Sequence, residues 1–177
     1  MDKEKTFPPF FGVPVSLKDN VLYKGRVSYV GMIDPINPVQ GEETECVLLI
    51  KKMGLIPFVR STTPQANKTF ETNNNIFGYC KNPWDEGRSC SGSSGGEGGL
   101  IGSHCAPIGI GNDIAGSLRS PADFTGIFTL KPFYRYSNIG LAKAGDFSGG
   151  LFLRPENGVY SRSIDDVILW NQFMYDK

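Results

Sequence analysis

At 177 residues, with 40% hydrophobic and 20% charged positions, the chain is long enough to close one domain around a core. Eighteen basic residues balance eighteen acidic ones, which argues against a nucleic-acid binder, whose surface needs a basic excess. No apolar run reaches the roughly 18 residues of a membrane-spanning helix, and the opening MDKEKTFPPFF is charged and then proline-broken, unlike a signal peptide.

Met1 to Pro9 reads as a flexible entry, and Val13 to Leu17 (VPVSL) as a short apolar strand ending beside Lys18. Pro14 suits a strand start or an edge. Asp19 to Pro38 is loop-like, with turns at Asp34-Pro35 and Asn37-Pro38. Glu42 to Met53 reads as a helix with acids in its first turn, Lys51 and Lys52 in its last, and a stripe of Cys46, Val47, Leu49, Ile50 and Met53. Leu55 to Val59 (LIPFV) then reads as a buried strand, so strand–helix–strand predicts an α/β sheet with covered faces. Ser61 to Tyr79 is polar, with Asn73-Asn74-Asn75 as turn material. Gly95 to Ser103 predicts a helix despite its glycines, each worth about 1 kcal/mol against helix formation, so close packing must hold it. Short strands follow at Pro107 to Ile110 and Ile127 to Leu130. Ser163 to Tyr175 is a helix with Ser163 as N-cap, Asp165 and Asp166 in its first turn, and Val167, Ile168, Trp170, Asn171 and Met174 spread over a wide face that expects burial on more than one side.

The stretch Ser89 to Pro121, SCSGSSGGEGGLIGSHCAPIGIGNDIAGSLRSP, carries two glycine- and serine-rich loops separated by an apolar run. Such loops bring backbone N–H groups close to an anion or an oxyanion. A phosphate loop would need a Lys after the glycines, where Glu97 stands. Gly92 to Gly96 matches G-x-S-x-G with Ser94 in the nucleophile place, but the only histidine, His104, lies ten residues on and out of the order that chemistry requires. The remaining chemistry needs no histidine: a serine nucleophile deprotonated through a relay hydroxyl by a neutral lysine. Lys18 is the candidate base. Asp113 and Arg119 flank the second loop and are expected to pair and fix its shape. Cys46, Cys80, Cys90 and Cys105 lack C-x-x-C spacing and read as reduced, intracellular and structural, with Cys90 or Cys105 near enough to the loops to be reactive. A lone histidine and scattered cysteines offer no metal-ligand spacing.

FGVPVSLKD (11–19) and SGSSGGEGGLIGSHCAPIGIGNDIAGSLRSPA (91–122) resemble the amidase signature family of Ser–Ser–Lys hydrolases, and within it the fatty acid amide hydrolase branch. The intervals, 75 residues from Lys18 to Ser93 and 24 from Ser93 to Ser117, fit that pattern, and Asn82-Pro-Trp84 and Leu130-Lys-Pro132 extend it. The resemblance implies an α/β fold, a mixed β-sheet covered by helices, of which residues 1–177 are part of one longer amidase domain, with the signature at 89–121. It implies amide hydrolysis through an acyl-enzyme, with Ser117 as nucleophile, Ser93 as relay after a cis peptide at Gly92–Ser93, and Lys18 as base. The N–H groups of Ile114, Ala115, Gly116 and Ser117 would hold the oxyanion, and Ser94 would support the network. By the same resemblance, Asn67 and Phe70 fall where substrate-facing residues lie, although Asn67 and Lys68 are polar for an acyl channel. Ser91 and Ala115 stand where that family usually carries glycine; Ala115 would be strained if its φ were positive.

The expected partner is a small-molecule amide, a lipid amide being one option; no cofactor, metal or nucleic acid is expected. Membrane association would come through segments outside this chain, and a homodimer stays open. The expected location is intracellular, either cytoplasmic or peripheral to an internal membrane. Two other readings stand beside this one: an amidase or amidotransferase subunit acting on other amides, and a truncated non-catalytic paralogue.

Overall fold

Alternation decides which side of the first strand faces which layer. The computed structural model describes residues 6–34, 39, 41, 45–133 and 155–175. In β1 (Pro14–Lys18), Val15 and Leu17 point into an apolar layer while Ser16 and Lys18 point to the other face, as the two-residue period of a strand requires. Pro14 starts this strand, which lies second in its sheet and not at an edge.

α1 (Glu45–Lys52) buries Cys46, Val47 and Ile50, with Glu45 in its first turn and Lys51 and Lys52 in its last. The expected residues 42–44 of this helix lie outside the described residues, as do the two X-Pro turns at 35 and 38 and residues 1–5 of the entry. Phe7 of that entry packs its ring on Phe11, with centroids 4.5 Å apart. β2 (Ile56–Ser61) runs parallel to β1, closing the β1–α1–β2 unit. The buried strand expected here is instead an edge among the described residues, with Ile56 and Phe58 each more than half exposed, because among them only β1 pairs with it. The stretch expected as polar loop contains a 3-10 turn at Gln65–Asn67 and a small hairpin, β3 (Asn73–Asn74) with β4 (Gly78–Tyr79). Asn74 does serve as turn material: its Oδ1 accepts from the N–H of Ile76 at 3.0 Å and of Phe77 at 2.8 Å.

α2 (Gly95–Gly102) survives its five glycines because its first turn lies on the backbone of β2's exit. A Cβ on Gly96 would stand 2.4 Å from the Thr62 carbonyl oxygen, so only glycine permits the approach. β5 (Ile108–Asp113) is buried throughout and runs three residues further than expected. It pairs parallel with β1. Besides that turn and hairpin, the sequence did not disclose α3 (Arg119–Thr125), which ends at the left-handed Gly126, or the strand Glu156–Ser161. Counting β6 (Phe128–Thr129), that strand is β7, and it pairs antiparallel with both β5 and β6. The five-stranded sheet therefore has the order β2-β1-β5-β7-β6 and is mixed.

α4 (Ile164–Tyr175) is capped by Ser163, whose Oγ accepts from the N–H of Asp165 at 3.2 Å. Val167, Trp170 and Met174 are buried, but Ile164 and Ile168 are about half exposed, so one side of the wide apolar face is covered and the other is open. α1 and α4 pack one face of the sheet over Val15, Leu17, Ile108, Ile110 and Val159. On the other face, Ile101 of α2 and Ala122 of α3 pack with Leu118 and Tyr160. The fold is α/β: a mixed sheet between two helical layers.

Candidate functional site

The site forms where the parallel strands β1 and β5 end and α2 begins, the end of such a sheet where loops and helix N-termini converge. β1 delivers Lys18 there, fully buried. Its Nζ donates to Ser93 Oγ at 2.7 Å and to Asn112 Oδ1 at 2.9 Å. Burial disfavours the ammonium and lowers the Lys18 pKa from 10.5 to about 7, against the pull of Asp113 and Glu97. A substantial neutral fraction follows at neutral pH.

The first loop is buried from Cys90 to Ser94. The peptide Gly92–Ser93 is cis. Ser91 takes φ 60°, the left-handed region in which glycine is the usual residue. Its Oγ donates to Phe70 O at 3.1 Å, and Thr72 Oγ1 donates to Ser91 O at 2.9 Å while accepting from the N–H of Gly95 at 3.1 Å. The strand of chain from Phe70 to Thr72 thus holds this loop from outside. Ser94 is fully buried and donates to Asn112 O at 3.3 Å.

The second loop is organised by Asp113, whose buried carboxylate accepts from the N–H of Gly116 at 2.6 Å and of Leu118 at 3.1 Å. Arg119 adds a two-pronged contact, Nε at 3.0 Å and Nη2 at 3.1 Å. Burial works to raise the Asp113 pKa, but Arg119 and these backbone donors outweigh it and leave it lowered. Positive φ in this turn falls on Gly116 (134°) and not on Ala115, so alanine at 115 is unstrained. The Gly116 N–H is taken by Asp113; among the described residues, the N–H groups of Ile114, Ala115 and Ser117 have no such partner. Tyr160 of β7 braces the turn, its hydroxyl lying 3.1 Å from Ser117 O and donating to Leu118 O at 2.8 Å.

Ser117 is half-buried, and its hydroxyl is bonded to no described residue, Ser93 included. Phe70 lies against this turn: a Cβ on Gly116 would meet its ring at 3.2 Å, and the ring is more than half exposed. Asn67, on the 3-10 turn with φ 56°, makes no hydrogen bond to either loop among the described residues. His104 is exposed just past the far end of α2, well away from Ser94 at its start.

Four side chains of this site escaped the sequence reading. Glu97, considered only as an obstacle to phosphate, is fully buried and accepts from Ser16 Oγ at 2.5 Å. Its pKa is raised from 4.5 to about 7 by burial, with Ser16, Ser61 and Lys18 pulling it down. A lone acid inside a glycine helix was its signal. Asn20, Asn112 and Tyr160 carried none, since asparagine reads as turn material and tyrosine as core.

The protein-family model described as Amidase matches residues 1–177. This chain belongs to the Amidase family. Fatty acid amide hydrolase 1 of Caenorhabditis elegans is 44% identical over 125 residues, covering 71% of this chain and 22% of that protein. The acetamidase of Emericella nidulans is 34% identical over 165 residues, covering 93% of this chain and 30% of that protein. A solved structure of a fatty acid amide hydrolase superposes with a TM-score of 0.87 at 32% identity, covering 96% of this chain and 30% of its own. The amidase chain thus spans about a fifth to a third of the relatives it matches. Among its described residues, no group of three His, Cys, Asp or Glu side chains is placed to hold a metal, and no helix is long and apolar enough to cross a membrane.

Proposed function

We propose that this amidase chain carries the nucleophile, relay and base of a serine-dependent amide hydrolysis. The observation that carries the reading is the buried Lys18 amine, lowered to about 7 and 2.7 Å from the Ser93 hydroxyl beside the Ser117 turn. An unassisted serine hydroxyl is a poor nucleophile. Here Ser117 attacks the amide carbonyl, its proton passes to Ser93, and the proton of Ser93 passes to neutral Lys18. The same path returns the proton to the leaving amine as the tetrahedral intermediate collapses to an acyl-enzyme, and water then releases the acid. The N–H groups of Ile114, Ala115 and Ser117 hold the oxyanion, while the Gly116 N–H, bound to Asp113, shapes the turn. Asp113 and Arg119 keep that turn in place, and Ser94 ties the two loops together through Asn112. The Ser117-to-Ser93 contact closes when substrate expels water, as catalytic hydrogen bonds commonly do.

The relatives' names point to two substrate sizes, fatty acid amides and acetamide. The exposed Phe70 ring against Gly116 favours an apolar acyl group at this site. The test is labelling by a fluorophosphonate probe of wild type, Ser117→Ala and Lys18→Ala. Labelling confined to wild type is expected; labelling retained by Ser117→Ala would sink the mechanism.

A further inference from the structure

Lys18 can take a proton from Ser93 only if its lone pair faces that hydroxyl. A neutral amine has two N–H donors and one lone pair. Its two close partners are Ser93 Oγ and Asn112 Oδ1. A hydrogen donated to Asn112 keeps the lone pair off that acceptor and leaves it free to face Ser93. This works for one orientation of the Asn112 amide. Rotated by half a turn, its Nδ2 would aim a donor at the lone pair and compete with Ser93. Asn20 restricts that freedom, because Asn112 cannot rotate alone without setting donor against donor and acceptor against acceptor. Asn112 Nδ2 donates to Asn20 Oδ1 at 2.7 Å, and Asn20 Nδ2 donates back to Asn112 Oδ1 at 3.2 Å. Both amides are buried, at 7% and 5% exposure, so water offers neither an alternative partner. The register of β1 on β5, Leu17 opposite Ile110, brings the two asparagines together just beyond the paired segment.

We propose that Asn20 and Asn112 form a reciprocal amide clamp that aims the Lys18 lone pair at Ser93 and sets how readily Lys18 gives up its proton. They are positioning residues, acting through Lys18 and not on the substrate. The inference rests on the reading of Lys18 as the base. The charged and titratable groups around Lys18 are Glu97 from α2, Asp113 from β5 with its partner Arg119, and, facing those two acids, Tyr160 from β7. The clamp is the neutral part of that shell, and it offers an oxygen that favours the ammonium.

The test has a readout that needs no turnover: the titration midpoint of Lys18, followed through its side-chain carbon by NMR in the full-length protein. Asn112→Asp places a carboxylate at the same position and should raise the midpoint by about one pH unit or more. Asn20→Ala frees the Asn112 amide to rotate and should lower it by about one pH unit, the size of one hydrogen bond to a charged group. Asn112→Leu should lower it likewise. Asn112→Asp is nearly isosteric and Asn20→Ala only trims a side chain, so these two decide the matter. Opposite shifts support the clamp, because general loosening of the site cannot move one group both ways. Shifts of the same sign, or none, overturn it. If the midpoints move in opposite directions while Lys18→Ala still labels with the fluorophosphonate, the clamp stands and the assignment of Lys18 as base falls.

Discussion

Replacing Glu97 by Gln tests the buried charges of the site through stability alone. Glu97 is fully buried beneath β1, and burial raises its pKa from 4.5 to about 7. A native pKa above the unfolded value means that the folded chain holds this proton more tightly. Its contribution to stability is therefore complete below pH about 4.5 and is lost as pH rises through about 7. A displacement of that size corresponds to about 3 kcal/mol. Lys18 works with the opposite sign. Its native pKa lies below its unfolded 10.5, so the stability it allows at high pH falls as pH drops from 10.5 to about 7. These two groups together place a dip in stability near neutrality. Glu97→Gln deletes the acid side of that dip.

The assay is denaturant unfolding of both proteins at a series of pH values, read by the fluorescence of Trp170, which is 2% exposed. The stability difference between variant and wild type should grow in favour of the variant by about 3 kcal/mol from pH about 4.5 to pH about 8. The constant offset from exchanging a carboxyl for an amide drops out, because only the change with pH is used. A difference that stays level across this range would refute the raised pKa of the buried acid at position 97.

In the proposed hydrolysis Lys18 accepts a proton only when neutral, so under that proposal kcat/KM should rise with pH through about 7; a profile already level below that value would contradict the lowered pKa or the proposed role of Lys18. Asp113→Ala leaves the N–H groups of Gly116 and Leu118 without the carboxylate that orders the turn, and should cost about 3 kcal/mol and abolish fluorophosphonate labelling. Denaturation and labelling measured side by side separate the two effects. Gly96→Ala drives a methyl onto the Thr62 carbonyl and should cost about 2 kcal/mol in the same unfolding assay.

The elements legible in the sequence were those whose own residues carry the signal. α1 and α4 showed an apolar stripe with acids at the start, and both form. β7 was illegible because Asn157-Gly158 reads as a turn in isolation, whereas pairing on both sides turns the segment into a buried inner strand. α3 begins R-S-P, and its proline is tolerated because it falls within the first turn, where the missing N–H would have no helical partner. Length alone did not disclose that β2 would be an edge. At the site, the resemblance named Lys18, Ser93 and Ser117 across intervals that no local pattern spans. Asn20 and Asn112 stayed hidden because their meaning depends on register, on which residue of β5 lies beside which residue of β1; Glu97 showed only as a lone acid in a glycine helix, and its partner Ser16 lies 81 residues away.

The alternation along β1 explains why so unfavourable a set of groups can be buried together. Ser16 and Lys18 face α2 with Glu97, Asn112 and Asp113 nearby, and burying such groups opposes folding unless each is bonded. The same strand turns Val15 and Leu17 to the opposite layer, where Ile50, Met53, Val167, Trp170 and Met174 close a continuous apolar core. The apolar cluster beside the site is smaller, centred on Ile101, Leu118 and Tyr160. Hydrophobic stabilisation scales with apolar area removed from water. The layer of α1 and α4 therefore carries the stability that lets the layer of α2 and α3 hold a lysine near neutrality. A cavity cut into the first layer, far from Ser117, should weaken the fold while leaving the Lys18 titration where it is.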